Sequence, residues 1–174
     1  IVPQVDATVD TTVQFNMMAG AFSGGNGDYV TLFEPTATEM ELAGQGYILC
    51  SIGEESGEIP YTAYFAAGDY MEKNPEIIQK FTNAIFKGQQ WVMTHTDAEV
   101  AEALAPYFPD TDLSVLETVS ARYRSIGAWN ETPAMGEEGL NRLQDVMEEA
   151  GELQERVEFQ QLVDNSYAEK AVNS

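Results

Sequence analysis

Apolar positions along the chain follow two patterns, which change near residue 73. Before it they come in short clusters separated by glycine-rich or polar turns. Val9, Thr11, Thr12, Val13 and Phe15 make a β-branched and aromatic run, the composition of a strand. Tyr29–Phe33, Tyr47–Ile52 and Tyr61–Ala66 are short apolar runs between turn signals, as buried strands are. Met17–Phe22 reads as a short helix stopped by Ser23-Gly24-Gly25-Asn26-Gly27. Thr36 or Thr38 can cap a second short helix that ends at Gly44. Gly53–Glu58 reads as a polar loop. Strands alternating with short helices predict an α/β fold with a mainly parallel sheet.

Beyond residue 73 the period becomes helical. Asn74-Pro75 is a start signal, a cap followed by proline at the first helical position, and Ile78, Phe81, Ile85 and Val92 fall near one face. Thr96-Asp97 opens a shorter helix that stops at Pro106. Asp112 opens a third, with Leu113, Leu116, Val119, Tyr123 and Ile126 at helical spacing. Glu137–Ala150 is a fourth, closed by Gly151, and a last short helix covers Tyr167–Val172. The chain thus divides into an α/β portion, 1–72, and a helical region, 73–174.

Hydrophobic residues make up 44% of the 174, enough for a packed core, which excludes wholesale disorder. The longest uncharged apolar stretches fall short of the roughly 18–20 residues a membrane helix needs. The formal charge of -21 repels nucleic acid and anionic membrane, because both require basic patches. Cys50 is the one cysteine and His95 the one histidine. An intrachain disulfide, a multi-cysteine zinc site and a two- or three-histidine metal centre are therefore excluded. Ser-His-Asp or Cys-His catalysis would have to pass through a single imidazole. No basic segment leading into an apolar run opens the chain, so no secretory leader is read here. The opening reads as the middle of a strand, the expectation for a fragment or a processed chain.

Individual motifs mostly read as structural. Gly24-Gly25-Asn26-Gly27 follows a helix and precedes a strand, the reverse of a phosphate loop, and no lysine follows it. Glu54, Glu55 and Glu58 fit no calcium-loop spacing and read as a solvated loop. Met17-Met18, without further soft ligands nearby, makes a poor copper site and reads as core or as an adaptable pocket wall. His95 suits a helix end, and Cys50 reads as a buried, inert thiol in a strand. No enzymatic constellation, metal site or cofactor motif emerges. What remains is position. Gln14-Phe15-Asn16 and Phe33-Glu34-Pro35 each sit at the carboxyl end of a predicted strand, where open α/β sheets bind ligands. The alternative is that Phe15 and Phe33 are core and Glu34 caps a helix.

Val13-Gln14-Phe15-Asn16-Met17-Met18-Ala19-Gly20-Ala21-Phe22, followed by Gly27-Asp28-Tyr29-Val30-Thr31-Leu32-Phe33-Glu34-Pro35, resembles the solute-binding proteins of ABC importers. The branch is the nitrate, sulfonate, taurine and thiamine-precursor group. Gly53-Glu54-Glu55-Ser56-Gly57-Glu58-Ile59-Pro60-Tyr61, Asn74-Pro75-Glu76, and the stretch from Arg122-Tyr123 through Trp129 to Ala150-Gly151-Glu152-Leu153 match in the same order. The resemblance covers nearly the whole chain. It implies the later part of a two-lobed, periplasmic-binding-protein-like fold. Residues 1–72 would belong to the second lobe, and residues 73–174 would return to pack on the first.

On that resemblance, the chain captures a small polar or anionic organic solute in an interlobe cleft and delivers it to a membrane permease outside the cytoplasm. It is not an enzyme and uses no cofactor. The loop at Phe15, Asn16 and Met17 is the first choice for ligand contact, through backbone N–H groups if the ligand is an anion. Phe33 and Glu34 would wall the pocket, and Ser56 and Tyr61 would reach it from the loop near the crossover. The strands near Val13 and Tyr29 would lack the strand between them, leaving edges that pair directly or recruit a second copy through swapped elements. Two rival readings are a helical interaction module and an enzyme of the same fold in thiamine-pyrimidine synthesis.

Overall fold

The computed structural model describes residues 5–174. Its regular elements are helices: α1 (Met18–Ser23), α2 (Thr36–Leu42), α3 (Ile52–Ser56), α4 (Gly68–Lys73), α5 (Pro75–Thr94), α6 (Asp97–Leu104), α7 (Leu113–Ser125), α8 (Glu137–Glu149), α9 (Phe159–Leu162) and α10 (Ser166–Val172). Single 3-10 turns at Phe15–Met17 and Ala105–Tyr107 lead into α1 and follow α6.

The expected parallel sheet is not formed among the described residues. The segments read as strands at Val9–Phe15, Tyr29–Phe33, Tyr47–Ile52 and Tyr61–Ala66 carry no strand ladder, and β structure is confined to an isolated bridge at Ala7. The fold is therefore helical rather than α/β, and direct pairing of the segments near Val13 and Tyr29 does not occur. The reason is that a strand is a pairing, not a local state. Its N–H and C=O groups need a neighbour that composition does not specify. Without one, side chains read as buried face water: Tyr47 is 89% exposed and Phe65 98%. Cys50, expected inside a buried strand, is exposed for the same reason. The whole chain exposes 12812 Å². A compact monomer of its 19.1 kDa would expose about 8,400 Å².

The helical half begins its helices at the expected residues, although Asn74 and Asp112 make no side-chain cap bond there. Pro75 opens α5. Before α6, Thr96 Oγ1 accepts from the Glu99 N–H at 3.3 Å, and the Glu99 carboxylate accepts from the Thr96 N–H at 2.8 Å, a reciprocal capping box. Gly151, at φ 74°, ends α8 in the left-handed region where glycine has no Cβ penalty. Most of α3 falls in the Gly53–Glu58 segment, expected as a loop. Ser51 Oγ accepts from the Glu54 N–H at 3.3 Å and so caps it. Helices α4 and α9 are too short to carry a period and were not predicted.

The core lies where α6 packs on α7, through Val100, Ala101, Val115, Leu116 and Val119. On α10, Ala168 and Ala171 are buried, and that helix lies along α5. Helix α2 docks on α7, with Thr38 and Met40 buried. That docking ties the first 72 residues to the helical half and positions the candidate site.

Candidate functional site

The chain enters the site through the 3-10 turn at Phe15–Met17. The Phe15 and Phe33 ring centroids lie 5.3 Å apart, and those of Phe33 and Tyr61 lie 5.1 Å apart. Three rings from three separate segments thus form a row in the tilted contacts that aromatic quadrupoles favour. Beside the row is a depression of about 240 Å³ lined by Phe15, Asn16, Ala19, Leu32, Phe33, Glu34 and Thr36. A second, largely apolar hollow of about 240 Å³ lies beyond Glu34 and Pro35, walled by Leu104, Phe108, Leu116, Val119, Tyr123 and Trp129. Glu34 lines both.

Its carboxylate is held from two sides. Oε2 accepts from the Thr38 N–H at 3.0 Å, in the first turn of α2, and Oε1 accepts from Arg122 Nη1 at 3.3 Å. The same Nη1 donates to Thr38 Oγ1 at 2.8 Å, and Nη2 pairs with the Glu41 carboxylate. A buried Thr38 hydroxyl and a side chain only 11% exposed at Glu34 are thereby satisfied by one guanidinium from α7. Next to it, burial raises the Tyr123 hydroxyl above its ordinary pKa, with the Glu34 charge adding to the effect. The Tyr123 ring meets Trp129 edge to face at 5.6 Å.

Glu41 carries the pH dependence of this clamp. The Ile48 N–H, and then the Arg122 guanidinium, hold its carboxyl below the ordinary value of 4.5. A depressed folded-state pKa contributes stability that is complete above the unfolded value and is lost as the pH falls through the folded one. Melting temperature is therefore expected to fall below about pH 4.5. Glu41→Gln should be less stable than wild type near neutral pH and show a shallower acid slope. Parallel acid slopes in the two proteins would remove Glu41 from the account.

Of the residues expected from sequence, Phe15, Asn16, Phe33 and Glu34 share the depression, and Tyr61 joins through Phe33. Met17 stands on the same turn but is exposed and does not line the depression, nor is it core. Ser56 Oγ donates to the carbonyls of Gly53 and Gly57 at the end of α3 and stays outside. Of the alternative reading, the Glu34 part agrees with its acceptance from the first turn of α2, whereas Phe15 and Phe33 are exposed rather than core. Thr38, offered as a cap, is instead the buried partner of Arg122. His95 does helix-end duty: Nδ1 lies 2.7 Å from the Trp91 carbonyl oxygen and the ring stacks on Trp91. Arg122 was missed. Its one signal in the sequence is scarcity, because four arginines stand among 29 acidic residues and each has carboxylates in excess to pair with.

Residues 5–99 match the sequence profile of the family described as NMT1/THI5 like. The chain belongs to the NMT1/THI5-like family. It is also 40% identical over 171 residues to a Bacillus subtilis (strain 168) protein named "Putative binding protein YtlA". That match covers 98% of this chain and 51% of the relative, so the chain spans about half the relative's length. No solved structure matches. The kinship with the substrate-binding proteins that the motifs resemble is thus borne out at the level of the family. The NMT1/THI5-like match contains every residue of the depression, whereas Arg122 lies beyond it.

Proposed function

We propose that this chain is the later portion of the solute-binding component of an ABC importer, working outside the cytoplasm and handing its solute to a membrane permease. The observation that carries this reading is the meeting of Phe15, Phe33 and Tyr61 beside a depression whose polar lining includes Asn16 and Glu34. Rings supply flat apolar area, and a few placed polar groups fix orientation, which is the usual make-up of a small-molecule site. The solute is small and polar or anionic, an organic sulfonate or thiamine precursor, or nitrate. A relative named as a binding protein supports a binding role over a catalytic one.

Residues 1–72 form part of the second lobe in this reading, and residues 73–174 return to the first. The rest of the cleft comes from polypeptide outside this chain. Covering the extended segments would bring the exposed area toward that of a compact fold. A free-standing helical module fits less well, because α2 buries Thr38 and Met40 against the helical half.

Thermal melting against sulfonates, nitrate, thiamine precursors and aminopyrimidines tests the proposal. A solute at about 100 times its Kd should stabilise the protein by roughly 2.7 kcal/mol. The shift should be larger in a protein extended by its upstream half than in this chain. No shift in either, with both well folded, would sink the proposed solute classes.

A further inference from the structure

Glu34 is the one ionisable side chain lining the aromatic depression among the described residues. A bare carboxylate there would attract cations and repel anions, in a chain already at -21. The structure places a guanidinium on it instead. Arg122 comes from α7, 88 residues downstream, and ties Glu34, Thr38 and Glu41 together. The other arginines are committed elsewhere. Arg124 binds Asp97 and the end of α5, Arg142 binds the Glu58 carbonyl, and Arg156 binds Asp145 and Glu148. Glu34 uses one oxygen for Arg122 and one for the Thr38 N–H. A carboxylate has about four lone-pair sites, so acceptor capacity remains on a residue that lines the depression.

We propose that Arg122 sets the charge preference of the depression. By sharing one positive charge between Glu34 and Glu41 it offsets part of that wall's negative charge and shifts its preference from cations toward a planar, uncharged ligand group bearing N–H or O–H donors. Arg122 acts through Glu34 and is a positioning residue. The inference rests on the reading of the depression as the ligand site. It narrows that reading to the end of the solute that meets Glu34.

Three probes of nearly equal shape separate charge from fit: benzamide (neutral), benzamidinium (cation) and benzoate (anion). Their affinities are measured by calorimetric titration on the intact protein. Arg122→Gln is expected to raise the benzamidinium-to-benzamide affinity ratio about tenfold. Arg122→Lys should leave the ratio within about threefold of wild type, because the charge is kept. Combining Arg122→Gln with Glu34→Gln should return the ratio to the wild-type value. A purely structural role would weaken all three probes together and leave the ratio unchanged, and that result overturns the proposal. Should Arg122→Gln not fold, Glu34→Gln is read alone, with an expected shift of about tenfold from benzamide toward benzoate. An unshifted ratio there also overturns it. Binding of no probe to the wild-type protein overturns the ligand-site reading and this inference with it. Binding with an unmoved ratio overturns only the role of Arg122.

Discussion

Leu116→Ala is expected to lower the stability of the chain by about 2–5 kcal/mol. Leu116 is 2% exposed and belongs to the α6–α7 core. It also walls the hollow beyond Glu34. Truncation removes its transfer free energy and enlarges a space that already exists, so little of the loss is recovered by collapse. Leu113 lies three residues earlier on the same helix but is 46% exposed. Leu113→Ala is expected to change stability by no more than about 0.5 kcal/mol. Urea denaturation of both variants measures the contrast, and similar midpoints would contradict the placement of the core.

Arg124→Met is expected to cost about 1.5–3 kcal/mol. Arg124 Nε donates to Asp97 Oδ1 at 2.9 Å, and its terminal nitrogens donate to the Val92 and His95 carbonyls at 3.1–3.2 Å. One side chain on α7 thus closes the end of α5 and anchors the start of α6. Without it, Asp97 keeps only the Ser120 hydroxyl, at 2.9 Å. Both members of the pair are about 30% exposed, which moderates the cost. Arg124→Lys should recover only part of the loss, because an ammonium cannot present the same fork of donors. A double-mutant cycle with Asp97→Asn reads the coupling, and strictly additive losses would show that the two side chains act independently.

Helix α5 to helix α8, and α10, were legible because their ends are written locally. Pro75, Thr96 with Glu99, and Gly151 each act on the backbone within one turn. The runs at Tyr29–Phe33 and Tyr47–Ile52 carry strand composition, but whether they pair depends on distant chain, and here they do not. The same distinction divides the site. Phe15, Asn16, Phe33 and Glu34 were singled out by their place at the ends of predicted strands. They do come together, although by a 3-10 turn, ring contacts and the start of α2 rather than by a sheet. Met17, next to Asn16, and Ser56, chosen from the loop near the crossover, remain outside, because proximity in sequence to a site says nothing of side-chain direction. Arg122 was invisible for the opposite reason: its role is defined only by residues 81–88 positions away.

That separation has a consequence for biosynthesis. Glu34, Thr38 and Glu41 leave the ribosome well before the guanidinium that ties them together. At about 5–20 residues per second, the 88 positions between Glu34 and Arg122 amount to a wait of about 4–18 s. During that interval the nascent chain displays the Glu34 and Glu41 carboxylates with no guanidinium to tie them. Helices α6 and α7 are near neighbours in sequence and can join as soon as both have emerged. The site is then completed from its far end, when α7 arrives and draws α2 onto it.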